Sequence, residues 1–308
     1  MTSASAGRAS PGRRQWVDRI LFLGPATLLL FLFFALPVVV DVAIAFTDMG
    51  RNLKVTGFTT DNVARMLGGD ARLTGVIGVT LVYVLATLAI FNVGYGLLLA
   101  LMTTALPDRA GGFFRAIWFL PRMSPSVVYA LLWSWVVAPT NFGLLNQILG
   151  AVGFPPVDAK SDAPMLVVVL ANGFIGASFG MIIFTSAIRS IPEHLFHAAR
   201  VDGAGGLSIV RHVTLPAIRW QLSFVTIYQA LSLLVSFEYI WLITNGGPFF
   251  DTTVYALYVY RRAFENGQYA YGAALALGLV VVGIAVSMVL WRFFDMRALL
   301  QRPRIEVK

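Results

Sequence analysis

Residues 197–216 read HAARVDGAGGLSIVRHVTLP, and this polar, glycine-bearing segment lies between two apolar stretches. Just before it, Ser190 and Glu193 have the spacing of a capping box. The pattern predicts a short helix over about 191–201, which ends where Gly203 allows the chain to turn. A polar helical loop in such surroundings indicates a module held at the surface of an otherwise apolar protein.

The composition of the whole chain is that of a membrane protein. Of its 308 residues 58% are hydrophobic and 12% are charged, whereas about a quarter of a soluble domain is charged. Several charge-free runs reach the roughly 20 residues that a helix needs to cross a bilayer. The sequence therefore predicts an all-α integral membrane protein with six transmembrane helices. Their expected bounds are about 20–46, 74–106, 113–138, 164–188, 219–243 and 272–295.

The distribution of positive charge predicts the topology. If the N-terminus is cytoplasmic, 15 Lys and Arg residues fall on the cytoplasmic side and seven on the other. One further cation, Arg122, lies inside the third hydrophobic region. The positive-inside rule then places both termini in the cytoplasm. The net charge of +8 follows from this bias, so we expect no nucleic-acid partner. The first apolar stretch is too long for a signal-peptide core and is expected to be an uncleaved helix.

The polar loop carries a recognisable motif. It resembles the signature loop EAA-x3-G-x9-I-x-L-P of the membrane subunits of binding-protein-dependent ABC importers. Every interval is kept, but His197 replaces the usual Glu and Val213 replaces the usual Ile. The positions that match are Ala198, Ala199, Gly203, Leu215 and Pro216.

Two further segments are similar to the carbohydrate branch of this family, the maltose-type sugar permeases. One is IWFLPRMSP at 117–125, and the other is TNGGP at 244–248 followed by YVYRRAF at 258–264. The resemblances cover about 73–295 and imply a five-helix permease core. The implied organisation is a disordered cytoplasmic tail, an additional N-terminal helix, the core with its coupling loop, and a second cytoplasmic tail. These parts correspond to 1–19, 20–46, 73–295 with the loop at 190–216, and 296–308.

The family resemblance implies a function for the whole chain. It would form half of the translocation pathway for a carbohydrate or related polyol in a prokaryotic cytoplasmic (inner) membrane. Its partners would be a second homologous permease subunit, two copies of an ABC ATPase, an extracytoplasmic substrate-binding protein, the carbohydrate and membrane lipid. The chain has no phosphate-binding glycine loop, so ATP and Mg would be bound by the partner ATPase and this chain would hold no cofactor.

In the family the polar loop docks on the ATPase, and the resemblance implies the same role here. A short helix with a small apolar face suits binding in a groove of a partner. The alternative is an ordinary amphipathic loop helix. The residues expected to couple the chain to the ATPase are His197, Ala198, Ala199, Asp202, Gly203, Leu215 and Pro216.

The helices on either side of this loop are expected to line the substrate pathway. Asn172, Gly176 and Phe179 follow helical spacing in the fourth helix, so they share one face. Amide and hydroxyl groups suit sugar hydroxyls. The alternative for each position is a hydrogen bond between helices or small-residue packing. The corresponding candidates in the fifth helix are Gln229, Ser232, Leu233 and Ser236.

Other functions are less consistent with the sequence. A self-contained secondary transporter predicts inverted repeats and a charged midplane site, and we find neither. The G-x-S-x-G pattern at 176–180 lies inside an apolar helix rather than at a strand-to-helix turn, so no nucleophile is predicted. The three histidines have no acidic cluster at metal-ligand spacing, and the chain has no cysteine.

Overall fold

The computed structural model describes residues 11–293, and within these it contains helices but no β-strand. One isolated bridge joins Thr47 to Phe58. The all-α class predicted from composition is therefore confirmed. Residues 1–10 and 294–308, which include the predicted C-terminal tail, lie outside the described part.

The helices of this part are numbered α1 to α14. The first seven are α1 (11–45), α2 (61–69), α3 (Leu73–Ala105), α4 (Asp108–Met123), α5 (Ser126–Val136), α6 (Leu144–Ala151) and α7 (Ala159–Asp162). The others are α8 (Pro164–Arg189), α9 (Glu193–Val201), α10 (206–217), α11 (Arg219–Val235), α12 (Glu238–Ile243), α13 (255–265) and α14 (Tyr269–Phe293). Short π-helical segments occur inside α1, α2, α3, α10 and α13.

Four of these helices are long and apolar enough to span a membrane: Leu21–Ala45 within α1, all of α3, all of α8, and Tyr269–Val289 within α14. The other two expected spans are interrupted. The region expected at 113–138 forms α4 and α5, and the region expected at 219–243 forms α11 and α12. An unbroken helix at either place was the wrong expectation.

The first of the two breaks has an identifiable cause. Ser124 adopts an extended backbone (φ −76°, ψ 142°) because the ring of the following Pro125 disfavours helical geometry. The second break comes at Ser236, which is also extended (φ −78°, ψ 123°). No proline follows there, and the hydroxyl of Ser236 accepts a hydrogen bond from Asn172 on α8.

The chain divides into two compact units. The smaller contains the described residues up to Leu67 together with Arg262–Leu277, and Ala45 and Ala274 are buried in it. Its helix α1 is described from Pro11, and residues 11–19, which were expected to belong to a disordered tail, are helical. Most of the apolar side chains between residues 21 and 44 are exposed, as expected for a helix that faces lipid.

A polar turn in the smaller unit is organised around Asp48. The hydroxyl of Thr56 donates a hydrogen bond to this carboxylate, and the N–H groups of Thr56 and Gly57 donate at 2.8 Å and 3.1 Å. Because these bonds favour the charged form, they lower the pKa of Asp48 to about 2.

The larger unit is built around α8, and small residues let α3 pack closely against it. A Cβ added at Gly176 would overlap the side chain of Asn92, and one at Gly180 would overlap its main-chain oxygen. The G-x-S-x-G pattern is therefore a packing surface, as its position in an apolar helix suggested. A second buried cluster, which includes Phe184, Ile188 and Val225, lies at the end of α8 that leads into the loop.

The loop between α8 and α11 follows the prediction in part. Helix α9 forms, but Pro192 is its N-cap residue and no side-chain cap is made. The predicted capping box is wrong, because the hydroxyl of Ser190 donates instead to the carbonyl of Ala187 in the last turn of α8. Gly203 has φ +78°, as its place in a turn predicted.

Candidate functional site

A cavity of 350 Å³ lies in the larger unit between α8, α11 and the two helix breaks. It contains six of the seven residues predicted to line a pathway and six others. The twelve are Asn92, Arg122, Ser124, Ser126, Asn172, Ile175, Gly176, Gln229, Ser232, Leu233, Ser236 and Tyr239.

Asn172 connects α8 to α3 and to the break after α11 at the wall of this cavity. Its Nδ2 donates to the hydroxyl of Tyr83 on α3 at 2.5 Å and to Oγ of Ser236 at 3.1 Å. Both of its N–H donors are therefore used within the protein. Its Oδ1 accepts no hydrogen bond from residues 11–293, so the group it can offer to a ligand is an acceptor.

Gln229 of α11 also lines the cavity and bonds across to α8. Its Nε2 donates to the main-chain oxygen of Gly176 at 3.0 Å. This bond between helices is the structural role that the sequence left as an alternative. The side chain is buried yet lines the cavity, and its Oε1 has no donor among the described residues.

Asn92 is a third amide at this cavity. The residue lies in the π-helical segment of α3 and is 1% exposed. Its Oδ1 is buried and has no hydrogen-bond partner among residues 11–293. The oxygen packs against Gly176 of α8, because a Cβ built there would overlap it. Asn92 therefore belongs to the contact between α3 and α8, and its oxygen is not offered to a ligand.

Phe179, the remaining predicted pathway residue, does not line the cavity. Its ring stacks on Tyr228 of α11 with 5.0 Å between centroids. The guanidinium of Arg122 lies over it, 5.1 Å from the ring centroid. Phe179 therefore supports a side chain of the lining and does not belong to the lining itself.

Sequence reasoning missed Arg122, Tyr239, Asn92 and the serines of the first break as lining residues. The signal for Arg122 was available, because it was the one Lys or Arg that the charge count left inside a hydrophobic region. An ionisable residue at such a position marks a functional site more often than a structural one.

A second, open groove of 790 Å³ lies beside the loop. The ends of α3 and α8, the start of α4, and helices α9 and α10 form it. Asp108 and Arg189 at its edge form an ion pair of 2.7 Å. Phe196 of α9 and three polar residues of the same helix also line it: Glu193, His197 and Arg200.

The residues predicted for coupling lie on and beside α9 and α10. His197 lines the groove, Phe196 attaches α9 to the buried cluster at the end of α8, and Gly203 turns the chain between the two helices. Leu215 and Pro216 lie in the last helical turn of α10, just before α11 begins. The exposed members of the predicted set are His197, Ala198, Asp202, Gly203 and Pro216, whereas Ala199 and Leu215 are half-buried.

Comparisons with known proteins agree with this architecture. Residues 92–299 match the family described as the binding-protein-dependent transport system inner membrane component. The multiple sugar-binding transport system permease protein of Streptococcus mutans is 30% identical over 270 residues, which cover 85% of this chain and 90% of that protein. The diacetylchitobiose uptake system permease protein of Streptomyces coelicolor is 29% identical over 308 residues, with coverage of 92% and 85%.

A solved structure has the same fold. It is a chain of a bacterial alginate ABC transporter, crystallised with its alginate pentasaccharide-bound periplasmic protein. The TM-score is 0.76 at 23% identity, over 94% of this chain and 96% of that one. Nothing in the comparisons supports the self-contained secondary transporter that was the alternative. The chain belongs to the inner membrane components of binding-protein-dependent transport systems, the multi-pass permease subunits of ABC transporters.

Proposed function

We propose that this chain forms half of the translocation pathway of an ATP-driven importer for a carbohydrate or related polyol. The observation that carries the proposal is the polar cavity between α8 and α11, the two helices joined by the loop. The relatives from S. mutans and S. coelicolor are permeases for sugar transport by name, which supports the carbohydrate. Amide and hydroxyl side chains in the cavity fit a polyhydroxylated solute.

The chain crosses the membrane six times in this proposal, with the pairs α4–α5 and α11–α12 each making one broken crossing. Non-helical backbone at membrane depth is tolerated where it lines a water-filled cavity, and both breaks do line one. The 15 to seven distribution of Lys and Arg supports cytoplasmic termini and a cytoplasmic 190–216 loop.

The exposed surface of α9 then docks on an ABC ATPase, which binds the ATP and Mg. Closure of two ATPase copies moves α9, and the attachment of Phe196 to the cluster at the end of α8 carries that movement to the cavity. A second, homologous permease completes the pathway, and an extracytoplasmic binding protein delivers the solute. The residues assigned to docking and the turn that orients it are His197, Ala198, Ala199, Asp202, Gly203, Leu215 and Pro216.

Reconstitution of the complete complex in proteoliposomes tests this function. Uptake of a labelled oligosaccharide, presented on the binding protein of the same complex, should require ATP on the side of the ATPase. Uptake that proceeds without ATP and follows an imposed ion gradient would contradict the proposal, because a permease of this class has no coupling ion of its own.

A further inference from the structure

Arg122 gives the cavity an unbalanced positive charge. It lies in the last turn of α4 and is half-buried, and it is the one charged residue of the lining. The cavity contains no Asp or Glu, and Arg122 forms no ion pair with a carboxylate of residues 11–293. A cation removed from bulk water without a counter-ion is costly, so an anionic partner would be bound strongly.

The guanidinium is held in place by contacts that do not neutralise it. Its Nη1 donates to the main-chain oxygen of Ile175 at 3.4 Å, and the ring of Phe179 lies 5.1 Å from its carbon. Both residues belong to α8. A guanidinium has five N–H donors, and the remaining donors form no hydrogen bond with the described residues. Their planar arrangement matches the two oxygens of a carboxylate or phosphate.

The backbone near Arg122 adds little net potential. Helix α5 begins at Ser126, which lines the cavity, and its uncapped first N–H groups favour an anion. The carbonyls that end α4 lie at the same break, where Ser124 lines the cavity, and they favour a cation. The two helix ends offset each other, so the positive charge of the cavity is that of the guanidinium.

The amide groups of the cavity select a different part of the ligand. Both N–H donors of Asn172 and one of the two on Gln229 are already bonded within the protein. This leaves the amide oxygens of both residues as acceptors, and one N–H of Gln229 as a donor. Acceptors bind hydroxyl groups and repel carboxylates. The cavity therefore has one place for an anion and several for hydroxyls.

We propose that the substrate is an acidic carbohydrate, which carries a carboxylate or a phosphate ester, and that Arg122 binds its anionic group. This inference rests on the proposed carbohydrate import and narrows its substrate class. The competing explanation is that a carboxylate of the second permease subunit neutralises Arg122 in the assembled transporter. In that case Arg122 holds the two permease subunits together and does not bind the solute.

The test compares uptake by the native cells with uptake by a strain that lacks this gene. Both strains receive a mixture of neutral oligosaccharides, uronate-containing oligosaccharides and sugar phosphates, and mass spectrometry identifies the solutes that enter only with the gene. We expect uptake of uronate-containing oligosaccharides or of sugar phosphates. Which of the two classes enters shows whether the anionic group is a carboxylate or a phosphate ester. Uptake of neutral members alone would overturn the acidic substrate but leave carbohydrate import standing. No gene-dependent uptake of any member would overturn carbohydrate import itself.

Variants of Arg122 then connect the charge to the solute. Arg122→Gln should lower uptake of the acidic solute by about tenfold or more, since a charge-assisted hydrogen bond is lost. Arg122→Lys, which keeps the charge without the planar fork, should retain part of that uptake. Both variants should copurify with the second permease and the ATPase as the natural chain does. Unchanged acidic uptake in Arg122→Gln, or separation of the two permeases in that variant, would overturn the inference.

Discussion

Nε2 of Gln229 donates a 3.0 Å hydrogen bond to the main-chain oxygen of Gly176, which joins α11 to α8 at the wall of the cavity. The same amide therefore has two roles, because its nitrogen ties the helices together and its oxygen is left for a ligand. Asn172 is divided in the same way between Tyr83, Ser236 and the cavity. The bonds between helices, which the sequence left as an alternative, are present for both residues, and contact with the substrate stays a prediction.

Loss of either amide should reduce transport. We expect Asn172→Ala and Gln229→Ala each to lower uptake by about tenfold or more, because a hydrogen bond to a partly desolvated hydroxyl is worth about 1–3 kcal/mol when its partner is left unsatisfied. Uptake and copurified ATPase are measured together. Ser287→Ala is the control, since its hydroxyl bonds within its own helix to Gly283 and lies outside the cavity lining. Normal uptake in both variants would show that the two amides only connect helices and do not bind the substrate.

The close contact of α3 and α8 should not tolerate a methyl group. Gly176→Ala places a Cβ on the buried side chain of Asn92 and should lower stability by about 1–3 kcal/mol. Gly75→Ala in α3 has open space around its Cβ and should be neutral or slightly stabilising. Thermal unfolding in detergent compares the stability of the two variants. Adding Asn92→Ala to Gly176→Ala removes the side chain that the new Cβ meets and should recover part of the lost stability. Equal stability of the two single variants would contradict this packing.

The turn after α9 should depend on backbone conformation alone. A Cβ at Gly203 meets no atom within 4 Å, but φ is +78°. Gly203→Val should therefore strain the turn by about 1–2 kcal/mol, displace α9 and reduce ATP-dependent uptake while the chain still inserts. Gly203→Asn is the matched control, because Asn tolerates this region far better. If both variants transport equally well, the orientation of α9 does not matter for coupling.

The topology can be tested with introduced cysteines, since the natural chain has none. Leu207 in the loop is 84% exposed, and Phe249 in the segment before α13 is 96% exposed. In intact cells an impermeant maleimide should label Phe249→Cys and should label Leu207→Cys only after permeabilisation. The reverse pattern would mean that the chain is inserted with its termini outside.

The turn around Asp48 should depend on its hydrogen bond from Thr56. Because the pKa of Asp48 is lowered to about 2, its contribution is fully present above the ordinary value of about 3.9 and is lost as the pH falls through about 2. Thr56→Val removes the hydroxyl donor and should raise the pKa toward that ordinary value. A carboxyl titration followed by NMR measures the shift, with Thr27→Val, in helix α1, as a control that should leave it unchanged. An unaltered pKa in Thr56→Val would show that the main-chain donors are sufficient.

The polar loop was predictable because its signals are local. The polar segment between apolar runs predicted the start of α9 to within two residues. Gly203 was predicted to lie in a turn, and its φ is positive. The capping box failed because Ser190 could bond to the preceding turn as easily as to the next one, and spacing cannot distinguish the two.

The helix breaks at Ser124 and Ser236 were not predictable in the same way. Each lies within an apolar stretch, and hydropathy measures transfer to lipid without regard to backbone continuity. Pro125 offered a hint for the first break, but the second has no such local signal, and its serine contacts Asn172, 64 residues away in sequence. Residue spacing also could not predict which amide atoms of Asn172 and Gln229 bond within the protein, because those bonds join residues far apart in sequence.

The interruption between α4 and α5 also constrains the surroundings of the chain. The carbonyls that end α4 and the N–H groups that begin α5 have few partners within their helices, and hydrocarbon cannot supply any. In the proposed topology these groups lie at membrane depth, so this side of the chain has to face water or neighbouring protein and not lipid. The break therefore limits which surface of the permease can be in contact with the bilayer.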